Sequence, residues 1–209
     1  GQEAIERIEF ATKVTPIEDN LIKPDVVKRV ASCDIVFGCV DSAEARHILN
    51  RLASYYVIPY FDVGVALQAD GKGGVSEITG VVHYVQPGGS SLLGRGAYTL
   101  AEVEAESMRR LNPELYEERR KQNYIAGVEE DRPAVLPVNM HFSSLMVLEF
   151  LARFHGYRYC DDEFAAQQYN LEDPDKVYRA GDGDPCPSLS KRVGKGDVVP
   201  LLDLPMLGD

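Results

Sequence analysis

The stretch DIVFGCVDSAEARHILNRLASYYVIPYFDVGV, residues 34–65, decides the fold. Its two ends, DIVFGCV and YVIPYFDVGV, are apolar runs of the length that predicts buried strands. Between them, apolar side chains recur at spacings of three and four residues, namely Ala45, Ile48, Leu49, Leu52, Ala53 and Tyr56. That spacing places them on one face of a helix that packs against a sheet. The order strand, helix, strand predicts a pair of neighbouring parallel strands.

The upstream sequence continues this pattern. GQEAIERIEF and KPDVVKRVASC have helical composition, and the β-branched ATKVTPI that separates them predicts an extended segment. We therefore expect an α/β fold with a Rossmann-like, mostly parallel sheet that carries helices on both faces. The sheet is expected to be incomplete at its amino-terminal end, because an initial Gly rather than Met suggests that material is missing there.

The downstream sequence predicts a change of architecture. GKGG predicts a turn, and VSEITGVVHYVQP has the composition of a strand, so a β-hairpin should follow the parallel core. Residues 99–124 are charge-rich and helical, and Pro113 should divide them into two helices. The apolar residues 139–154 predict a buried helix. We expect residues 1–157 to form the main domain and residues 158–209 an irregular carboxyl-terminal extension packed on it.

Composition excludes several classes of function. The 209 residues are 44% hydrophobic and 26% charged, which is typical of a soluble globular protein. The formal net charge of -11 argues against a nucleic acid partner, because phosphate binding depends on clustered Lys and Arg. We find neither an apolar run of about 20 residues nor a signal peptide, which predicts a cytoplasmic protein without a membrane partner. The four cysteines have no zinc or disulfide spacing.

Asp41 is the principal candidate site residue. It follows the first apolar strand of residues 34–65, and open α/β sheets bind ligands beyond the carboxyl ends of their strands. The alternative is that Asp41 caps the following helix, with Glu44 completing a capping box. Local sequence favours neither reading over the other.

The same stretch resembles the central segment of the ThiF/MoeB/HesA family of adenylating enzymes, which are related to ubiquitin-activating enzymes. Six positions agree in register and in the right strand–helix–strand context: Asp41, Arg46, Leu49, Asn50, Asp62 and Gly64. RPAVLPVNMHFSSLMVLEFLARF resembles the late helix of the family, which follows a crossover loop. The resemblance covers about residues 1–155 and identifies residues 1–157 as the second half of an adenylation domain.

The resemblance implies a function. Relatives use ATP to adenylate the carboxyl terminus of a ubiquitin-like or sulfur-carrier protein, and they pair as homodimers. Asp41 matches the residue that holds Mg²⁺ beside the phosphates, a task suited to a carboxylate because hard cations prefer oxygen ligands. Arg46 and Asn50 are candidate contacts in the same cofactor site. The residues themselves also allow a structural role, an ion pair for Arg46 and a backbone hydrogen bond for Asn50.

Departures from the family pattern set further expectations. The glycine-rich nucleotide loop and its arginine and lysine should precede residue 1, so this fragment should lack half of the nucleotide site. Ser91 and Gly94 occupy the first zinc CxxC of relatives, so no zinc is expected. The crossover-loop segment GVEEDRPAVLP has no cysteine, which leaves Cys186 as the candidate thiol nucleophile. Cys33 and Cys39 are expected to be small core hydrophobes.

Two other functions remain open at this point. One is a catalytically silent relative that serves as a dimerisation or protein-docking module. The other is half of a nicotinamide-dependent oxidoreductase, whose sheet has a similar rhythm, although it would not account for the register of Asp41 with Arg46 and Asn50.

Overall fold

A computed structural model of the chain describes residues 2–8, 10–70, 72, 74–122, 135–159, 163–173 and 175–208. The elements run in the order α1 (Gln2–Glu6), α2 (Pro24–Ala31), β1 (Val36–Gly38), α3 (Ala43–Tyr56), β2 (Tyr60–Ala69), β3 (Val75–Val85), α4 (Leu100–Leu111), α5 (Pro113–Lys121), α6 (Leu136–His155), β4 (Phe164–Asn170) and β5 (Val177–Gly181). Short 3₁₀ turns follow at Ser190–Arg192, Leu201–Asp203 and Pro205–Leu207.

The five strands of the described residues form one open sheet in the order β1-β2-β3-β4-β5. The α/β fold class is confirmed, and β1 and β2 are parallel as expected for a strand–helix–strand unit. The other pairings are antiparallel, so the sheet is mixed rather than mostly parallel. The short connection between β2 and β3 is the reason there, because a tight hairpin can join only antiparallel strands.

Most elements agree with the sequence-based expectations. The helix after β1, the hairpin, the division of the charged helical segment at Pro113 and the late helix all form. ATKVTPI, residues 11–17, does not form a sheet strand, because it pairs with none of the described strands. Residues 158–209 contribute β4 and β5 to the same sheet as the hairpin. No helix in the described ranges combines the length and apolarity needed to cross a bilayer.

Helices cover both faces of the sheet, and each side has its own hydrophobic core. Because side chains alternate along a strand, Tyr60 of β2 points toward α3 while Phe61 and Val63 point toward α6. The α3 side also buries Ile48, Leu52, Tyr55, Leu92, Leu189, Leu201 and Leu202. The α6 side buries Val82, Val138, Phe142 and Met146. The carboxyl-terminal 3₁₀ turns therefore pack on α3, where Arg51 and Tyr55 in its second half bind Leu202 and Asp203.

Candidate functional site

Asp41 lies where β1 gives way to α3 and is exposed to solvent. The N-cap of α3 is Ser42, whose side chain accepts a hydrogen bond from the backbone N–H of Ala45 at 3.1 Å. The alternative in which Asp41 caps the helix with Glu44 is therefore wrong, because the cap position is taken one residue later. Asp41 thus stands at the carboxyl end of a parallel strand, the edge at which open α/β sheets bind ligands.

Arg46 connects α3 to the sheet directly behind Asp41. Its Nε lies 3.1 Å from Oδ1 and 3.0 Å from Oδ2 of Asp62 on β2. Its Nη2 donates to the carbonyl of Val40 at 3.0 Å and to that of Val63 at 3.4 Å. Asp62 is only 1% exposed, so this is a buried ion pair. Through Val40, Arg46 also fixes the backbone that leads into Asp41.

Tyr60 completes the environment of Asp62. Its hydroxyl donates to Oδ1 of Asp62 at 2.6 Å, and both side chains face α3. Burial raises the pKa of Asp62, although the Arg46 guanidinium and the Tyr60 hydroxyl oppose that shift. The close packing depends on Gly38 at the end of β1, because a Cβ there would lie 2.6 Å from the Tyr60 hydroxyl oxygen. Glycine at the end of β1 therefore leaves room for Tyr60 and Asp62 beside it on β2.

His83 lies beside this pair on β3. It is the register partner of Asp62, so both side chains are on the same face of the sheet. It is 8% exposed, and its Nδ1 has no hydrogen-bond partner among the described residues. Burial, with the positive charges of Arg95 and Arg46, lowers the pKa of His83 from 6.5 to about 4. The imidazole is therefore neutral at pH 7.

Stability should depend on pH through His83. Between pH 6.5 and about 4 the unfolded chain binds a proton that the folded imidazole rejects, so the stabilisation is fully present above pH 6.5 and is lost as the pH falls. We expect His83 to contribute about 2 kcal/mol to the fall in unfolding free energy from pH 7 to pH 4.5. Urea titrations at both pH values should give a smaller fall for His83→Leu than for wild type. His141→Leu, at an exposed position, is the control, and an equal fall in His83→Leu and wild type would contradict the prediction.

Asn50 is turned into the protein. Its Oδ1 accepts the backbone N–H of Leu92 at 3.1 Å, and its Nδ2 donates to the hydroxyl of Tyr98 at 3.2 Å. The side chain is 1% exposed, and both ends of its amide have protein partners. These contacts attach α3 to the loop between β3 and α4. They support the structural alternative for Asn50, while its role as a nucleotide contact stays a prediction.

Cys186 is buried rather than exposed in its loop. It is 7% exposed and belongs to the core on the α3 side, and its Sγ lies 3.3 Å from the Ser188 hydroxyl. Burial alone would raise the pKa of the thiol, but hydrogen bonds from Ser188, Ser91 and backbone outweigh it and lower the pKa. Hydrogen bonding thus lowers the pKa of the thiol, but burial limits access to its sulfur. The nucleophile hypothesis stays a prediction.

The expectation for Cys33 and Cys39 fails. Cys33 and Cys39 are exposed, so the expectation that they are core residues is wrong: β1 is only three residues long and ends before Cys39. The Ser91 hydroxyl accepts the backbone N–H of Gly94 at 3.1 Å, which closes the turn that would carry a CxxC pair. In the described part of the chain, no group of three or more His, Cys, Asp and Glu side chains could hold a metal ion. Most of the crossover segment, residues 127–134, lies outside the described residues.

Two residues at the site were not expected from the sequence. The carboxylate of Glu106, on α4, accepts the backbone N–H groups of Ala43 and Glu44 at 3.0 and 2.8 Å. Arg110, one turn further along α4, donates to the carboxylate of Glu44 at 3.2 and 2.8 Å. In the sequence both belong to a charged segment that reads as a solvated face. Their spacing of four residues predicts that they share a face of α4, but not that this face contacts α3.

Together these features define an open α/β sheet protein with an exposed carboxylate at a strand end and a buried arginine–aspartate pair behind it. The ThiF family model matches residues 2–179, and the chain belongs to the ThiF family. The match includes β4 and the start of β5, so it reaches beyond residue 155, where the sequence resemblance was expected to end. No curated protein matches the sequence.

Solved structures of E. coli MccB have a similar fold. MccB with ATP matches with a TM-score of 0.57 and 13% identity, covering 90% of this chain and 48% of MccB. MccB with AMPCPP and selenomethionine MccA gives 0.56 and 13%, covering 88% and 47%. MccB alone gives 0.58 and 13%, covering 90% and 48%. The chain spans about half the length of these structures, and the similarity establishes the fold alone.

Proposed function

We propose that the chain is part of an ATP-dependent adenylating enzyme that activates the carboxyl terminus of a ubiquitin-like or sulfur-carrier protein. The observation that carries the proposal is the position of Asp41, exposed at the carboxyl end of β1, with the helix cap supplied by Ser42. Membership of the ThiF family and the fold shared with MccB, which has been solved with ATP, support it.

Asp41 fits a magnesium site. It offers an exposed carboxylate, a hard oxygen donor, and Mg²⁺ in nucleotide sites takes one or two carboxylates together with phosphate oxygens and waters. Mg²⁺ held there would neutralise charge on the phosphates of ATP while the carboxylate of the carrier attacks the α-phosphate and pyrophosphate leaves. Arg46 contributes by holding the Val40 carbonyl and hence the turn that presents Asp41. Asn50 contributes by fixing α3 to the neighbouring loop.

The sheet offers a surface for a protein substrate. β5 is an edge strand among the described residues, and Tyr178, Arg179, Ala180 and Gly181 are exposed. Exposed edges accept extended peptides through backbone hydrogen bonds. An extended carboxyl-terminal tail is the part of a ubiquitin-like protein that such an edge would suit. MccB was solved with MccA, and a bound carrier protein is the corresponding partner in this proposal.

The test is ATP–pyrophosphate exchange by the full-length protein. Asp41→Asn should lower the exchange rate at least about tenfold at limiting Mg²⁺, because the amide is a poorer ligand for a hard cation. Helix α3 should keep its cap, since that cap is Ser42. Asp34→Asn, an exposed aspartate just before β1, is the matched control and should exchange normally. Wild-type rates in Asp41→Asn would refute the assignment.

A second candidate is a catalytically silent docking or dimerisation module. The observation that favours it is the outer face of α6, which exposes Leu136, Met140, Leu148 and Phe154. Within the described residues, the end of the tail packs elsewhere, because Leu189, Leu201, Leu202 and Leu207 lie on the α3 side. A homodimer through α6 is therefore retained as part of both proposals. A folded full-length protein without pyrophosphate exchange would favour the silent module.

The remaining expectations stay proposals. We expect no zinc, since Ser91 and Gly94, which lack thiols, occupy the positions of the CxxC pair. We expect a cytoplasmic protein without a nucleic acid partner, in line with the net charge of -11.

A further inference from the structure

The amino-terminal end of α3 is closed by side chains of the protein itself. The first N–H groups of a helix have no partner within the helix and commonly bind phosphates or other anions. Here the N–H groups of Ala43 and Glu44 donate to Glu106, and that of Ala45 donates to Ser42. The N–H of Arg46 already donates to the carbonyl of Ser42 at 3.1 Å. Every amide in the first turn of α3 is therefore engaged.

We propose that Glu106 is a positioning residue for Asp41, an inference that rests on the function proposed above. Its carboxylate takes the place that a phosphate would occupy at the start of α3 and holds the first turn from outside. The residues that it holds, Ala43 and Glu44, begin two positions after Asp41. The phosphates of ATP must then be reached through a cation on Asp41 rather than through the amides of α3.

Charge balance around the turn supports this role. The positive end of the α3 dipole faces the Glu106 carboxylate, a favourable arrangement at a helix amino terminus. Glu44 is 8% exposed, and its own carboxylate is compensated by Arg110. Two of the acidic groups near the turn thus have fixed partners inside the protein. Asp41 is exposed to solvent, where a cation from solution can reach it.

The helix that supplies Glu106 is itself firmly placed. α4 starts with a capping box in which Thr99 and Glu102 exchange hydrogen bonds. Ala105, next to Glu106, is only 4% exposed, so this part of α4 is packed against the rest of the protein. Glu106 and Arg110 are four residues apart, so they share one face of α4 and both reach α3. α4 is thereby tied to the start of α3, two residues after Asp41.

The test compares Glu106→Ala and Glu106→Gln with Glu104→Ala, an exposed position on the same helix. Amide hydrogen exchange is measured first. In Glu106→Ala, the amides of Ala43 and Glu44 should exchange at least about tenfold faster than in wild type, because they lose their acceptor. Glu106→Gln keeps one acceptor oxygen, so its amide exchange rates should lie between those of wild type and Glu106→Ala. Unchanged protection in Glu106→Ala would overturn the proposal.

The second readout is ATP–pyrophosphate exchange by the full-length protein across a Mg²⁺ titration. Glu106→Ala should need at least about threefold more Mg²⁺ for half-maximal exchange, with KM for the carrier unchanged, whereas a merely structural loss would lower the rate at all Mg²⁺ concentrations alike. Normal exchange by wild type with an unaltered Mg²⁺ requirement in Glu106→Ala overturns the role of Glu106 alone. Absent exchange in wild type contradicts the proposed function, and the role of Glu106 with it.

Discussion

Arg46→Met should lower the free energy of unfolding by about 3–5 kcal/mol, because it leaves the carboxylate of Asp62 buried without its cation. Asp62 is 1% exposed, and Arg46 contacts both of its oxygens at 3.0–3.1 Å. The hydroxyl of Tyr60 would remain as a hydrogen-bond donor but carries no charge. Chemical denaturation monitored by circular dichroism measures the loss.

A double-mutant cycle separates the ion pair from the packing of Arg46. Arg46→Met combined with Asp62→Asn removes both charges and should recover part of the loss seen in Arg46→Met alone. Arg120→Met, which breaks an exposed pair with Glu117, is the control and should change stability by less than about 0.5 kcal/mol. A loss in Arg46→Met as small as that of the control would show that the pair is not held as described.

The result would also decide between two roles of Arg46. If Arg46 only contacts nucleotide, its replacement should slow the reaction and leave stability unchanged. The hydrogen bonds to Val40 and Val63 and the pair with Asp62 indicate instead that Arg46 acts through the fold, by placing the turn before Asp41. Loss of stability and loss of activity should then occur together.

The sequence predicted those elements whose structure depends on local residues. α3 could be predicted from its apolar spacing, the hairpin from a glycine-rich turn between two strand-like runs, and the break between α4 and α5 from Pro113. ATKVTPI shows the limit of such reasoning. Its β-branched composition favours extended backbone, but a strand needs a neighbour, and composition does not reveal whether one exists.

The site was predictable only in part for the same reason. Asp41, Arg46 and Asp62 lie close together in one strand–helix–strand unit, so the family pattern brings them into register. Glu106 is separated from Ala43 by 63 residues, and no local rule links a helical glutamate to the start of a distant helix. Likewise, Cys33 and Cys39 adjoin an apolar run, yet both are exposed because β1 is short and lies at the edge of the described sheet.

Glu149 forms a buried charge cluster on the other side of the sheet. This α6 residue is 3% exposed and accepts hydrogen bonds from Arg153, Arg158 and Gln167. The guanidinium of Arg153 lies 4.3 Å from the centre of the Tyr84 ring, and that of Arg158 lies 4.9 Å from the centre of the Phe164 ring. The cluster therefore joins α6 to β3 and β4.

Glu149→Ala should cost about 3–5 kcal/mol of unfolding free energy, because it removes a buried carboxylate that pairs with two guanidinium groups, which are 15% and 18% exposed. Glu149→Gln should cost less, since the amide keeps an acceptor oxygen for one of them. Glu118→Ala, an exposed glutamate on α5, is the control. Denaturant titrations give the global loss. If Glu149→Ala matched the control, the cluster would not contribute to stability.

Hydrogen exchange locates where that loss is felt. Gln167 and Phe164 belong to β4, and the Phe164 carbonyl accepts a hydrogen bond from Arg153. In Glu149→Ala the amides of β4 and β5 should therefore lose protection before those of α3, whose core contains Ile48, Leu52 and Tyr55 and lies on the opposite face. Uniform loss of protection across both faces would instead mean that the strands after residue 163 unfold only together with the rest of the sheet.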